Sequence, residues 1–199
     1  MIITIDGYCC QGKSTIGKKL AEALGWEFLS IGKVFRFVAV TFAIWKHDDQ
    51  MAEPTQLQMA IDIMRKTDMS LILSHGSTTN PTIEQVLERI TTYPMLHEAV
   101  AEKIKDYAKE RQIILDGRVG WQLFPHAFRN YFFVTSPEKR ATFAMASRGL
   151  CYEEALKYIQ FRDGFEIKYD YPDYVHFISL DTFQTVADIV AYVKADIEA

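Results

Sequence analysis

An α/β fold, with a mainly parallel sheet and helices on both faces, is predicted by three observations. A β-branched apolar run at 2–5 leads into a glycine loop and then into an amphipathic helix. Short apolar runs alternate with helix-period segments along most of the chain, the order that winds strands into a parallel sheet. The runs at 112–116 and 131–134 are continuous and apolar, as strands buried on both faces are. In such a sheet ligands bind at the carboxyl ends of the strands.

The first loop carries the strongest signal. Gly7, with Gly12-Lys13-Ser14, fits G-x-x-x-x-G-K-[ST], in which loop amides wrap phosphate oxygens, the lysine reaches the β/γ-phosphates and the hydroxyl ligates magnesium. Glycines let the backbone approach an anion, and the next helix aims its free N–H groups at the same place. That helix, 14–24, carries Ile16, Leu20, Ala23 and Leu24 at the spacing of one buried face and stops at Gly25.

Residues 26–30 read as a short second strand or extended connector. A helix follows from about 33 to 47, with Arg36 in its first turns, and ends in the acidic turn His47-Asp48-Asp49. Helix-period residues at 56–64 precede a run at 69–73 that looks like a strand. Asn80-Pro81 starts a helix toward Tyr93, with an N-cap candidate and a proline at the first helical position. Pro94 starts another, reaching about Arg111.

The strand at 112–116 ends in Asp116 and is followed by Gly117-Arg118; a parallel sheet puts both charges on the rim that holds Lys13. After the strand at 131–134, Ser136-Pro137-Glu138 opens a helix that Arg148-Gly149 ends. Residues 152–169 are helical and charged, interrupted at Gly164, and Tyr171-Pro172-Asp173 forces a turn. The last strand is 175–180, after which Asp181-Thr182 caps a helix carrying Val186, Ile189, Val190 and Val193.

The 199 residues, 49% hydrophobic, allow one large domain or a core with a small inserted lobe. A net charge of −4 argues against a general nucleic-acid binder and for a small nucleotide. The first residues show no basic segment before an apolar run, which predicts no secretory leader. The most apolar helix, 34–45, contains Arg36 and is too short to span a bilayer. Three cysteines, two of them adjacent, offer no disulfide framework, which predicts a cytoplasmic protein. The five histidines stand alone, so no protein-bound transition metal is expected.

Phosphoryl transfer needs positive charge around the migrating group, a metal bridge and an acceptor held in line. Lys13 and Ser14 supply the donor half, within an ATP-binding loop of Gly7, Tyr8, Cys9, Cys10, Gln11, Gly12, Lys13, Ser14 and Thr15. Asp116 is the candidate to hold Mg2+ with Ser14, directly or through its water shell. Asp6 has two readings: it holds Ser14, a metal-bound water or the acceptor, or it serves ordinary turn chemistry. Among Arg36, Arg118, Arg148 and Arg162, Arg118 stands nearest the site, and Arg36 interrupts an apolar helix and so needs a partner. Cys9 and Cys10 also have two readings. Lys13 and a helix N-terminus favour a thiolate there, while small side chains are simply tolerated in such loops.

These segments, in this order, resemble the cytidylate kinases of bacteria and archaea. The resemblance covers nearly the whole chain: the loop, Ser30-Ile31-Gly32-Lys33-Val34-Phe35-Arg36, Pro94, Asp116-Gly117-Arg118, Phe124-Pro125-His126-Ala127, Ser136-Pro137-Glu138-Lys139-Arg140 and Arg162-Asp163. It implies a single nucleoside monophosphate kinase domain over 1–199, with a monophosphate-binding insertion at about 48–92 and a lid at about 145–165. It implies ATP and Mg2+ as cofactors and small nucleotides as partners. It also assigns Lys13, Arg36, Arg118 and Arg162 to catalysis, and Ser30, Gly32, Arg36, Arg118 and Glu166 to the acceptor.

The departures from the family pattern include three positions that help recognise the base, Glu88, His97 and Val119, and others among the arginines in and before the lid. Glu88, His97 and Val119 replace a serine, an arginine and an aspartate, Tyr169 replaces the last lid arginine, and Ala141-Thr142-Phe143-Ala144 stands where an arginine pair is usual. CMP or dCMP is the leading acceptor. A different small-molecule acceptor, or a regulatory module that binds nucleotide without fast turnover, stand as alternatives.

Overall fold

The computed structural model describes residues 1–45, 52–77, 80–163 and 170–199. It divides into two compact units: one made of 1–29 and 111–199, the other of 30–110.

The first unit is built on the sheet. Strand β1 (Ile2–Gly7) pairs parallel with β3 (Ile113–Asp116) on one side and β4 (Arg129–Val134) on the other, and β4 pairs parallel with β5 (Val175–Ser179). With β2 (Glu27–Ser30) at the edge, the strand order is β2-β3-β1-β4-β5. Side chains alternate across the pleat. Ile3, Ile5, Ile114, Tyr131 and Phe133 pack with Ile16 and Leu20 of α1 (Lys13–Leu24) and with Ile189 and Val193 of α10 (Val186–Glu198). Thr4, Asp6, Asn130 and Phe132 alternate with these along β1 and β4, and the Thr4 hydroxyl donates to Asn130 Oδ1 at 2.7 Å. Phe132 packs there with Trp121 of the short helix α7 (Gly120–Leu123), which the periodicity did not reveal. Helices α8 (Pro137–Arg148) and α9 (Tyr152–Asp163) share an apolar seam of Ala141, Ala144, Ala155 and Ile159 that includes Cys9.

The described elements of the second unit, from Ile31 to Ala108, are helices: α2 (Ile31–Trp45), α3 (Glu53–Lys66), α4 (Met69–His75), α5 (Pro81–Ile90) and α6 (Pro94–Ala108). The strand expected at 69–73 is helix α4. Asp68 caps it by accepting from Ser70 N at 2.8 Å, and burial recurs at Met69 and Ile72, a helical spacing. Asn80 caps α5 as expected, accepting from Ile83 N. At the far end of the chain the cap lies later than expected. Asp181-Thr182 falls in a 3-10 turn, and Thr185 with Asp188 forms a reciprocal capping box on α10. The acidic turn at 47–49, and the Gly164 interruption with Glu166 and Tyr169, lie outside the described residues. Among the described residues no helix is long and apolar enough to cross a membrane.

Candidate phosphoryl-transfer site

The loop between β1 and α1 has the backbone of an anion cradle. Cys10 and Gly12 are left-handed, at φ 57° and 74°, and Gly12 caps α1 without a side chain to occupy the first-turn amides. Gly7 has φ 140°, and a Cβ there would lie 2.5 Å from the Phe133 carbonyl oxygen and collide with the Gln11 side chain, which is buried beneath the loop. Only glycine fits. Lys13 is largely buried, and its ammonium donates to the Tyr8 carbonyl at 2.5 Å, which holds the charge at the loop.

Sheet register brings the second acid to this loop. Ile5 pairs with Asp116, and Gly117 N donates to Ile5 O at 3.1 Å, so Asp116 leaves β3 level with the end of β1. The Ser14 hydroxyl donates to Asp116 Oδ2 at 2.5 Å. A hydroxyl and a carboxylate converging at a phosphate loop are the hard oxygen donors that Mg2+ takes, few in number because the ion keeps several waters and substrate oxygens. The pair therefore fits magnesium.

Asp6 resolves to a structural role. Its two carboxylate oxygens accept from Gly120 N and Trp121 N, both at 2.8 Å, fixing the start of α7 after the Asp116-Gly117-Arg118 turn. Complete burial pushes its carboxyl up to about 6, against the pull of those amides, Thr4 and Lys13.

Arg140, buried at 4% exposure, is the residue that sequence reasoning missed. Its Nε donates to the Cys9 carbonyl at 2.9 Å, and its two terminal nitrogens reach Asp163 at 2.8 and 2.5 Å. The guanidinium also covers the Tyr8 ring, 5.5 Å from its centroid, while Phe132 meets the same ring edge-on at 5.6 Å. One side chain thus ties the loop to α8 and α9. The available signal was a charge among the small residues Ala141 and Ala144, which form the buried face of α8. Arg118 stands partly exposed in the turn after β3, and Arg162, also partly exposed, is next to Asp163 near the end of α9. Arg148 stacks on Tyr158 at 4.3 Å.

In the second unit, Ser30, Gly32 and Arg36 come together. A Cβ on Gly32 would sit 3.4 Å from Arg36 Nη1 and 3.8 Å from Ser30 Oγ. Arg36 has the partner its position demanded, donating through Nε to Glu84 at 2.9 Å. His97 lies against the Phe35 ring, 5.2 Å between centroids, with Nε2 2.8 Å from the Thr91 carbonyl. Glu166 lies outside the described residues.

Comparisons with known proteins agree with this chemistry. The chain is 28% identical to the cytidylate kinase of Caldanaerobacter subterraneus subsp. tengcongensis over 82% of its length and 78% of that protein's. It is 26% identical to the cytidylate kinase of Thermus thermophilus over 98% of both chains. A gluconokinase from Sinorhizobium meliloti has a similar fold, with a TM-score of 0.52 at 15% identity, covering 98% of this chain and 90% of that one. The family model described as cytidylate kinase matches residues 3–172, and the chain belongs to that family.

Proposed function

We propose that this protein moves the γ-phosphoryl group of ATP to a nucleoside monophosphate, CMP or dCMP first among them, releasing ADP and the diphosphate. The observation that carries the reading is the contact of Ser14 with Asp116 beside a lysine-bearing phosphate loop. The loop amides and Lys13 bind the ATP phosphates. Ser14 and Asp116 would hold Mg2+, which on binding neutralises charge on the transferring group. Lys13, Arg36, Arg118 and Arg162 stabilise transition-state charge, and Arg36, with Ser30, Gly32, Arg118 and Glu166, also serves the acceptor monophosphate. We assign 48–92 to acceptor binding and 145–165 to a lid that excludes the water which would otherwise hydrolyse ATP. Three free cysteines fit a reducing, cytoplasmic setting, with small nucleotides rather than nucleic acid as partners.

One observation favours a second reading, in which the acceptor is another small alcohol or phosphate. His97, at the position of a family arginine, is engaged by Thr91 and Phe35 inside its own unit. A site that has exchanged the polar groups facing a base edge discriminates differently.

A coupled assay with ATP and a panel of nucleoside monophosphates, deoxynucleoside monophosphates and sugars separates these readings. ADP release that depends on CMP or dCMP supports the first, release with another acceptor the second, and tight ATP binding without turnover a regulatory module. Lys13→Ala, with its helical circular dichroism unchanged, should lose about a thousandfold or more in kcat. Near-normal turnover by that variant would refute this use of the loop.

A further inference from the structure

The adjacent thiols of the phosphate loop differ in every respect that matters for reactivity. Cys9 is buried at 6% exposure in the α8–α9 seam, with its sulfur 3.3 Å from an Arg140 terminal nitrogen and 3.9 Å from Asp163 Oδ1. Cys10 is half-buried and held left-handed at φ 57°, a conformation that side-chain-bearing residues seldom adopt. Arg148 and Arg140 both act on it electrostatically. Neither sulfur is in a disulfide.

We propose that Cys9 and Cys10 form a peroxide-responsive dithiol, with Cys10 the attacking and Cys9 the resolving sulfur, and that closing their disulfide switches off phosphate binding by the loop. The proposal rests on the loop being the ATP phosphate site.

The chemistry runs in two balanced steps. The Cys10 thiolate attacks one oxygen of hydrogen peroxide; the O–O bond breaks, and sulfenic acid and hydroxide form, the hydroxide taking a proton to become water. Cys9 then gives up its proton and attacks the Cys10 sulfur, displacing the hydroxyl as a second water. Two thiols are oxidised, and one peroxide is reduced to two waters.

The surroundings assign the order. Cys10 is the more exposed of the two cysteines, and the contact between the two thiols pulls its thiol down to about 6, helped by Arg148 and Arg140 against the cost of burial, which favours Cys10 as the attacking sulfur. The same contact is the first cause that pushes the Cys9 thiol up, with burial second and Arg140 opposing both. Once Cys10 is a sulfenic acid its negative charge no longer opposes ionisation of Cys9, while Arg140 remains beside the Cys9 sulfur. Cys9 is then ready to react. Among the described residues, the other charged and titratable groups around the pair are Asp163, bound to Arg140, and Tyr158, stacked on Arg148.

The consequence for the loop is geometric. Adjacent Cα atoms are about 3.8 Å apart across a trans peptide, closer than a relaxed disulfide spans, so the ring must twist the peptide it encloses and is easily reduced. That peptide lies between Gly7 and Gly12, and the Cys9 carbonyl on it is the group Arg140 holds. Twisting it turns loop amides away from the anion.

The test uses the full chain, reduced, then treated with hydrogen peroxide in the absence and presence of ATP. The expected result is loss of two hydrogens from the tryptic peptide ending at Lys13, slowed by ATP, with ATP affinity falling about tenfold or more. Dithiothreitol should reverse both. Cys9→Ser should stop at a Cys10 sulfenic acid that dimedone captures, and Cys10→Ser should resist peroxide relative to its own untreated activity. Cys151→Ser, at an exposed position, should keep the peroxide response, read against its own untreated activity, as it is in the parent. Oxidation falling first on Cys151, or an intact dithiol after inactivation, would overturn the proposal. So would a Cys9–Cys10 disulfide with unchanged ATP affinity. If the reduced protein bound no ATP, the phosphate-site reading and the switch built on it would both fall, while the peptide mass would still report whether the dithiol chemistry occurs.

Discussion

Arg140 and Asp163 form a two-point ion pair, Nη1 to Oδ2 at 2.8 Å and Nη2 to Oδ1 at 2.5 Å, while Arg140 Nε holds the Cys9 carbonyl at 2.9 Å. The side chains are unequally buried, 5% exposed for Arg140 and 35% for Asp163. Removing the carboxylate leaves a buried guanidinium with the Cys9 carbonyl and sulfur to hold. Asp163→Ala should therefore cost about 2 kcal/mol, less than a fully buried pair because water screens Asp163. Arg140→Lys, which keeps the charge but loses the fork, should cost about as much and also weaken ATP binding through the released loop. Urea unfolding and a nucleotide titration check both halves; a stable Arg140→Lys variant with full affinity would show that the fork does not support the loop.

The Ser14–Asp116 contact predicts how the protein responds to magnesium. Ser14→Ala and Asp116→Asn should each lower kcat by about a hundredfold or more, because the charge a bound metal stabilises is worth several kcal/mol. The magnesium concentration giving half-maximal rate should rise in both. An unchanged magnesium dependence in both variants would remove Ser14 and Asp116 from the metal site.

The elements readable in the sequence are those whose signals are local. The phosphate loop, the strand ending in Asp116, and the caps Asn80 and Ser136 depend on residues within a few positions of one another. The misread elements depend on something else. Four apolar residues in the five positions 69–73 satisfy a strand's pattern as well as a helix's, and only the Asp68 side chain decides between them. Thr185-x-x-Asp188 is a capping box with aspartate in place of the usual glutamate, so Asp181-Thr182 looked the better cap. In the site, Asp6 meets Gly120 across 114 residues, and Arg140 meets Cys9 across 131. No local pattern encodes such partners. A buried arginine also has the same letter as a solvated one.

Gly7→Ala tests the cradle without changing any charge. At φ 140° an L side chain is strained, and the new Cβ would press on the Phe133 carbonyl of the paired strand, which cannot move without disturbing β4. The cost should be about 2 kcal/mol or more in unfolding free energy, with nucleotide affinity falling as well. Thermal unfolding and ATP titration measure the two effects. A variant as stable as the parent would mean that the loop reaches its shape by another route.

Asp6 predicts a pH dependence of stability whose sign is unusual for a carboxylate. Its ordinary value is 3.8 and its folded value about 6, so between those pH values the unfolded chain has released the proton that the folded chain keeps. Stability from this group is therefore greatest at low pH and falls as pH rises through that window. Asp6→Asn cannot titrate and serves as the reference, even though its amide offers only one acceptor to the two N–H groups at the start of α7. The stability of the parent minus that of Asp6→Asn should decline by about 2 to 3 kcal/mol between pH 4 and pH 7. Every other titrating group cancels in the difference. Chemical denaturation of both proteins across that range supplies the measurement. A difference that stays flat would mean that Asp6 ionises as readily in the fold as in the unfolded chain, and that the two amides and Lys13 offset the full cost of burying its charge.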